Sequence, residues 1–402
     1  MPSPAKRLLN LSLRAATLVS KFALIFVLAK FLAPAEVGLY GLLAATVFYV
    51  LMALGFDFYT YATRELIVAD RREWMGMLRD QGVFYGITYS ALLPLCLLLF
   101  WFGFLPWQLA AWFFPLLALE HVAQELNRLL VAISEPLWAS IVLFVRSGAW
   151  AIIAAAWMWL DPAQRTLGFV LAAWTIGVFT ACALGASRLR GFDGASLKHA
   201  IDWRWIRKGI HVAFPFVFAT LSLRALYTVD RYWIEALDGL ETLAAYVLFV
   251  GIANAIMSFL DAAVFSFAYP ALIAAAGKGD QPDFDRKMRR LTQQTLATTL
   301  GLSIAALLCA GPLIEWLDRP SYTQHFSLLY WTVLASALSG LSMIPHYGLY
   351  ARRQDRPIIL SHLISLPIFV LMTLASIPPL GVAAVPAGMT AAFLFLRPRR
   401  AV

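Results

Sequence analysis

Apolar runs of about twenty residues, separated by short polar clusters, recur along the whole 402-residue chain. A bilayer-spanning helix needs about 20 predominantly apolar residues. That ruler marks spans at 9–32, 39–63, 81–104, 107–133, 137–160, 166–187, 209–234, 242–269, 292–316, 326–350, 357–377 and 380–396, with Pro378, Pro379 and Pro386 crowding the last two. The pattern predicts an all-α, polytopic membrane protein of about twelve transmembrane helices in two six-helix lobes. The longest polar interruption, RLRGFDGASLKHAIDWRWIRKG, falls between the sixth and seventh spans. It predicts an N-terminal lobe at 1–187, a cytoplasmic linker at 188–208 and a C-terminal lobe at 209–402. A weak internal likeness accompanies this division: Glu36 and Tyr40 open a span carrying Asp57, and Glu241 and Tyr246 open one carrying Asp261.

Composition excludes a water-soluble alternative. The chain is 61% hydrophobic and 14% charged, with 14 Trp and a mean hydropathy of +0.73, too apolar for a soluble globular protein. The formal charge of +9 is divided among short clusters between spans, so it sets topology and does not make a nucleic-acid-binding face. Lys6 and Arg7, then Arg64, Arg71, Arg72 and Arg79, the basic residues of 188–208, Lys278 with Arg286 to Arg290, Arg352 to Arg356, and Arg397 to Arg400 mark alternate loops. Both termini are therefore expected in the cytoplasm. Arg14 and Lys21 interrupt the first apolar run, which reads as an uncleaved helix and not as a secretory signal. Cys96, Cys182 and Cys309 lie singly in apolar surroundings, without metal or redox spacing.

The charges inside the spans change the picture most. A cation at mid-bilayer costs roughly 2.5–3.5 kcal/mol on insertion scales, yet Arg14, Lys21, Arg128, Arg146 and Arg224 lie within spans, with Asp57, Glu120, Glu125, Asp230 and Asp261. Asn10, Arg14, Thr17 and Lys21 share one helical face, and Thr220, Arg224 and Thr228 share another. Arg128 has Glu125 three residues away and Arg231 adjoins Asp230, which makes both candidates for structural pairs. Lys30 reads as an interfacial anchor. Arg146 and Arg224 have no carboxylate at three or four residues. With Arg14 and Lys21 they point to a wet cavity for an anionic ligand such as a phosphate or pyrophosphate. Tyr85, Tyr89, Trp150 and Trp174 are candidates to stack on sugar rings there, or else ordinary packing residues.

The stretch FLAPAEVGLYGLLAATVFYVLMALGFDFYTYATRE at 31–65, with its Pro-x-Glu-x-Gly-x-Tyr turn and following Gly-Phe-Asp, resembles polysaccharide-unit flippases, the O-antigen and exopolysaccharide translocases of the multidrug/oligosaccharidyl-lipid/polysaccharide (MOP) exporter superfamily. NRLLVAISEPLWASIVLFVRSGAW at 127–150 and YTVDRYWI at 227–234 extend the resemblance. It implies a multi-pass flippase of the bacterial inner membrane that moves an undecaprenyl-pyrophosphate-linked oligosaccharide by alternating access through a cationic cavity. By segment, it places Arg14, Lys21, Arg146 and Arg224 in that cavity. It also makes Asp57, Glu120 and Asp261 candidates for binding a coupling proton or sodium ion, or for structural pairs with nearby cations. The partners implied are the lipid-linked oligosaccharide pyrophosphate, membrane lipid, and a polysaccharide polymerase with a chain-length regulator; neither cofactor nor metal is implied. Two other functions remain open: a cation-coupled drug exporter of the same superfamily, and a membrane-embedded polysaccharide polymerase or glycosyltransferase. The first should place acids at the heart of its cavity, and the second needs a long external loop that the spacing of spans does not leave. The topology predicts that reporter fusions after Trp159 and after Arg190 report opposite sides of the membrane.

Overall fold

The computed structural model describes residues 4–396, and no strand occurs among them. Nine described runs are long and apolar enough to cross a membrane. Two of these, Trp203–Lys278 and Asp355–Phe395, each contain two helices, and Ala110–Ala132 completes a set of twelve. The helices of the first half are Pro4–Phe31, Pro34–Gly55, Trp74–Trp101, Ala110–Ala132, Pro136–Leu160 and Leu167–Ser187. The seventh and eighth form the run Trp203–Lys278, followed by Gln281–Leu317, Ser327–Ala351, Asp355–Leu380 and Ala384–Phe395.

Local chemistry fixes the joints. Between the first two helices Pro34 opens the new helix and the Glu36 carboxylate accepts from the backbone N–H of Ala33 at 3.2 Å, so the Pro-x-Glu sequence satisfies an otherwise orphaned donor. The seventh and eighth helices meet at Gly239 (φ 81, ψ −175), and the last two at Gly381 (φ 54), conformations that suit a residue without Cβ. The second helix ends earlier than its apolar pattern predicts. Phe56 and Asp57 both adopt left-handed backbone (φ 51 and 49), which stops the helix at Gly55, and a short helix, Tyr59–Val68, restarts beyond the turn. Asp57 therefore lies in a buried turn and not within a continuous span.

The chain forms two compact units. The first holds the residues through Val27 together with Leu42–Leu221; the second holds Leu28–Gly41 and the residues from Ser222 onward. In the first unit, Phe58, Tyr61, Ala62, Phe84 and Ile206 make an aromatic-rich core, with Phe58 stacked on Phe84 at 4.5 Å. The polar stretch 188–208 is clamped to the third helix. Arg79 donates to the carbonyls of Leu197 and Ala200, both at 3.0 Å, and to that of His199. The N–H of Gly76 donates to Ser196 Oγ at 2.9 Å. Asp80 accepts from the N–H of Asp202 at 3.1 Å, and Asp202 in turn caps the seventh helix by accepting from Trp205 N at 2.9 Å.

In the second unit, Leu243–Val250 is buried all round. Fully buried Tyr246 donates to Asp230 Oδ2 at 2.8 Å, and Asp230 Oδ1 accepts from the N–H and guanidinium of Arg231 at 2.8 and 3.1 Å. The Asp230–Arg231 pair expected from the sequence thus forms. Lys30 caps a helix end: its ammonium donates to the carbonyls of Trp316 and Leu317 at 2.5 and 3.2 Å, where the ninth helix runs out into left-handed Asp318.

Close approach explains Gly38: a Cβ there would lie 2.4 Å from the carbonyl oxygen of Leu240, a backbone atom that cannot swing aside. Gly38→Ala is expected to destabilise the protein by about 1–3 kcal/mol. Gly82→Ala, with no atom within 4 Å of the added carbon, should be neutral or stabilising by up to about 1 kcal/mol. Thermal unfolding of the two variants in detergent checks the contrast.

Candidate functional site

The fourth helix supplies the polar centre of the first unit. Glu120 and Gln124, one turn apart, lie beside a stripe of His121, Glu125 and Arg128, so two polar faces adjoin on one helix. Facing them, the fifth helix is interrupted by a π turn at Val145–Ala149 that carries Arg146. Gly148 lets the first helix approach: a Cβ there would lie 3.3 Å from Thr17 Cα.

Arg146 is 7% exposed and Glu120 2%, and Arg146 Nε donates to Glu120 Oε2 at 2.5 Å. The guanidinium also donates to Gln124 Oε1 at 3.3 Å, while Trp174 Nε1 donates to Glu120 Oε1 at 2.6 Å. Both carboxylate oxygens of Glu120 are therefore engaged. Trp150 Nε1 donates to the carbonyl of Arg146 at 2.9 Å, and its ring stacks on Trp174 (6.1 Å, 13°). Lys21 lies within electrostatic reach of both Arg146 and Glu120, leaving the cluster with two cations to one carboxylate. Nearer the start of the first helix, Arg14 Nε donates to Ser140 Oγ at 3.3 Å, and that hydroxyl donates to Asn10 Oδ1.

A second cluster adjoins the first. Glu125 accepts from Arg128 at 2.5 Å, Gln81 at 3.0 Å and Tyr85 at 2.7 Å, and Tyr89 OH lies 3.0 Å from His121 Nδ1. Arg128 also lies over the Tyr59 ring, 3.5 Å from its centroid. The expected Arg128–Glu125 pair is present. Trp150 and Trp174 are buried in the first unit, which favours the packing reading of those two rings, whereas Tyr85 and Tyr89 are half-buried and bonded to Glu125 and His121.

The expected cationic residues fall into two kinds. Arg146 does meet a carboxylate, but one 26 positions away on another helix. Arg14, Lys21 and Arg224 are exposed. Arg224 belongs to the second unit, and its guanidinium makes no hydrogen bond or ion pair among the described residues. Among the acids, Asp261 is exposed and opens a second π turn, Asp261–Phe265, in the eighth helix. Gln81, Gln124 and Ser140 were not singled out by the sequence reading. The signal that could have found the glutamine at 124 is its one-turn spacing from Glu120.

Residues 9–275, well over half of the chain, match the sequence profile of the polysaccharide biosynthesis protein family. The chain belongs to that family. In fold, this polysaccharide biosynthesis family member is similar to a multidrug resistance MATE family transporter of the MOP superfamily in its inward-facing conformation, with a TM-score of 0.78 and 13% identity over 97% of this chain and 95% of that one. It is similar also to the lipid II flippase MurJ in an inward closed conformation, with a TM-score of 0.75 and 12% identity over 98% of this chain and 87% of that one. At such identities the likeness is one of fold. No curated protein sequence gives a significant match. This family member is thus a multi-pass, all-α membrane protein with the MOP fold, and its intramembrane charges include both paired and accessible groups.

Removing one partner of a buried ion pair strands the other and costs about 3–5 kcal/mol. Glu120→Ala and Arg146→Ala are each expected to lower the detergent unfolding midpoint strongly. The double variant should lose less than the sum of the two, as a double-mutant cycle on thermal unfolding will measure.

Proposed function

We propose that this protein is a flippase that moves an undecaprenyl-pyrophosphate-linked oligosaccharide across the bacterial inner membrane by alternating access. Family membership in polysaccharide biosynthesis supports the sugar-bearing cargo. The observation that carries the reading is the exposure of Arg14, Lys21 and Arg224 within apolar spans. Hydrocarbon cannot solvate these charges; exposed to lipid, three cations would cost on the order of 10 kcal/mol together. Their surroundings are therefore wet in some state of the transport cycle, and a pyrophosphate supplies the counter-charge that the fold leaves out.

In this reading Arg14 and Lys21 contact the anionic head of the cargo, and Arg224, an accessible cation of the second unit, has the same role. Arg146, neutralised by Glu120, acts one step back by keeping the first, fourth, fifth and sixth helices in register around Lys21. Asp57 and Asp261 are the acids proposed to carry a coupling proton or sodium ion, and Glu120 is assigned a structural role through its bonds to Arg146 and Trp174. The protein changes the side of the membrane on which its cargo lies and forms no covalent bond. A polysaccharide polymerase and a chain-length regulator are the proposed downstream partners. The competing reading, export of cationic drugs, draws on the likeness to the MATE transporter and on the accessible carboxylate of Asp261.

Reconstituted vesicles distinguish the two. Arg14→Ala, Lys21→Ala and Arg224→Ala should insert and unfold like the wild type yet reduce translocation of a fluorescent undecaprenyl-pyrophosphate-linked oligosaccharide at least about tenfold, the equivalent of about 1.4 kcal/mol. Lys at 14 or 224 should retain more activity than Ala, and Glu none. Energised uptake of ethidium that is abolished by Asp261→Asn and indifferent to the cation variants would establish the exporter reading instead.

A further inference from the structure

The second unit carries a row of aromatic rings near an intramembrane carboxylate. Phe265 and Tyr269 on the eighth helix meet Tyr347 on the tenth at centroid distances of 5.0 and 5.6 Å, and Tyr269 meets Tyr350 at 5.5 Å. The array continues as parallel rings through His346, 6.5 Å from Tyr350 and inclined by 13°, to His362, 5.8 Å from His346 and inclined by 9°. Tyr350 is 41% exposed, and Tyr269, Tyr347, His346 and His362 are half-buried. Asp261 stands at one end of this array, exposed and within electrostatic reach of Tyr347.

We propose that Asp261, Tyr269, Tyr347 and Tyr350 form a saccharide-binding subsite within the second unit. This inference rests on the flippase reading for the source of the sugar, but its geometry is independent of the cationic residues. A pyranose ring has an apolar C–H face and a hydroxyl edge. The negative face of a tyrosine ring packs against the first, and an ionised carboxylate accepts from the second. Asp261 and Tyr269 are two turns apart, so the array extends about 12 Å along the helix axis, a row of contacts and not a single stacking residue. An interfacial aromatic belt does not account for it. Belt residues place polar tips at the headgroups, whereas Tyr347 lies within electrostatic reach of an exposed carboxylate in an apolar span, and an exposed carboxylate cannot face hydrocarbon. A π turn, Asp261–Phe265, carries both the carboxylate and the first ring of the array. The subsite selects cargo by its sugars, while the cations of the proposed function bind the pyrophosphate common to all such lipids.

The purified full-length protein in detergent tests this with two probes, undecaprenyl pyrophosphate alone and the same lipid carrying one N-acetylglucosamine, titrated by intrinsic tryptophan fluorescence. The wild type should bind the sugar-bearing lipid about tenfold more tightly than the bare one. Tyr269→Leu and Tyr347→Leu, which keep apolar bulk without an aromatic face, should erase that gain, Phe at either position should keep it, and Asp261→Asn should reduce it. Affinity for the bare lipid should stay unchanged in the Tyr269 and Tyr347 variants. Equal binding of both lipids by the wild type, or a gain that survives both leucine variants, would overturn the subsite. Bare-lipid binding that is indifferent to Arg14→Ala and Lys21→Ala would count against the flippase reading alone, so the two failures are separable.

Discussion

A charge in hydrocarbon must be paired or wet, and the Arg146–Glu120 pair is the more deeply buried of two points in the first unit where that constraint is met by pairing among the described residues. Its formation draws the fourth and fifth helices together, engages Trp174 from the sixth, and brings Lys21 of the first into the same electrostatic neighbourhood. Desolvating the two ions is expensive, and their attraction repays it only with good geometry and satisfied remaining oxygens. Trp174 and Gln124 provide that satisfaction. Four helices are thereby tied to one polar centre, in surroundings where apolar packing against lipid gives little preference for one arrangement over another.

The second unit meets the same constraint differently. Asp230 is wholly buried and receives Tyr246, the N–H of Arg231 and its guanidinium, a compact set drawn mainly from adjacent residues of one helix. Lys30 discharges the carbonyl end of the ninth helix. With these groups satisfied internally, the exposed Asp261 and Arg224 are the intramembrane charges of this unit for which the fold gives little compensation. Charges retained at that cost are the ones to which a transport function is best assigned. A division follows within the fold: paired charges hold helices together, and the others stay accessible.

Ordered connections accompany this ordered interior. The stretch 188–208 lies between the two halves of the sequence, yet Arg79 and Asp80 bind its backbone at four successive sites from Leu197 to Asp202. The seventh helix consequently starts from a fixed point on the first unit and not from a free tether. Its residues through Leu221 count with that unit, and those from Ser222 with the other.

The one-dimensional pattern determined the number, order and approximate limits of the twelve helices, because hydrocarbon thickness imposes a ruler that each segment meets by itself. It also marked most of the joints, since Gly239, Gly381 and Pro34 with Glu36 act through their own backbone or nearest neighbours. The end of the second helix was not legible, as Phe56 and Asp57 adopt a left-handed backbone that neither residue type announces. Which cations are neutralised was likewise beyond the sequence: Arg128 finds Glu125 one turn away, but Arg146 finds Glu120 only across a helix interface. The same holds for the aromatic residues, abundant in both halves, of which some are buried and others left accessible. Spans and joints are local properties and can be read along the chain. Pairing and exposure depend on which helix faces which, and only the packed bundle decides that.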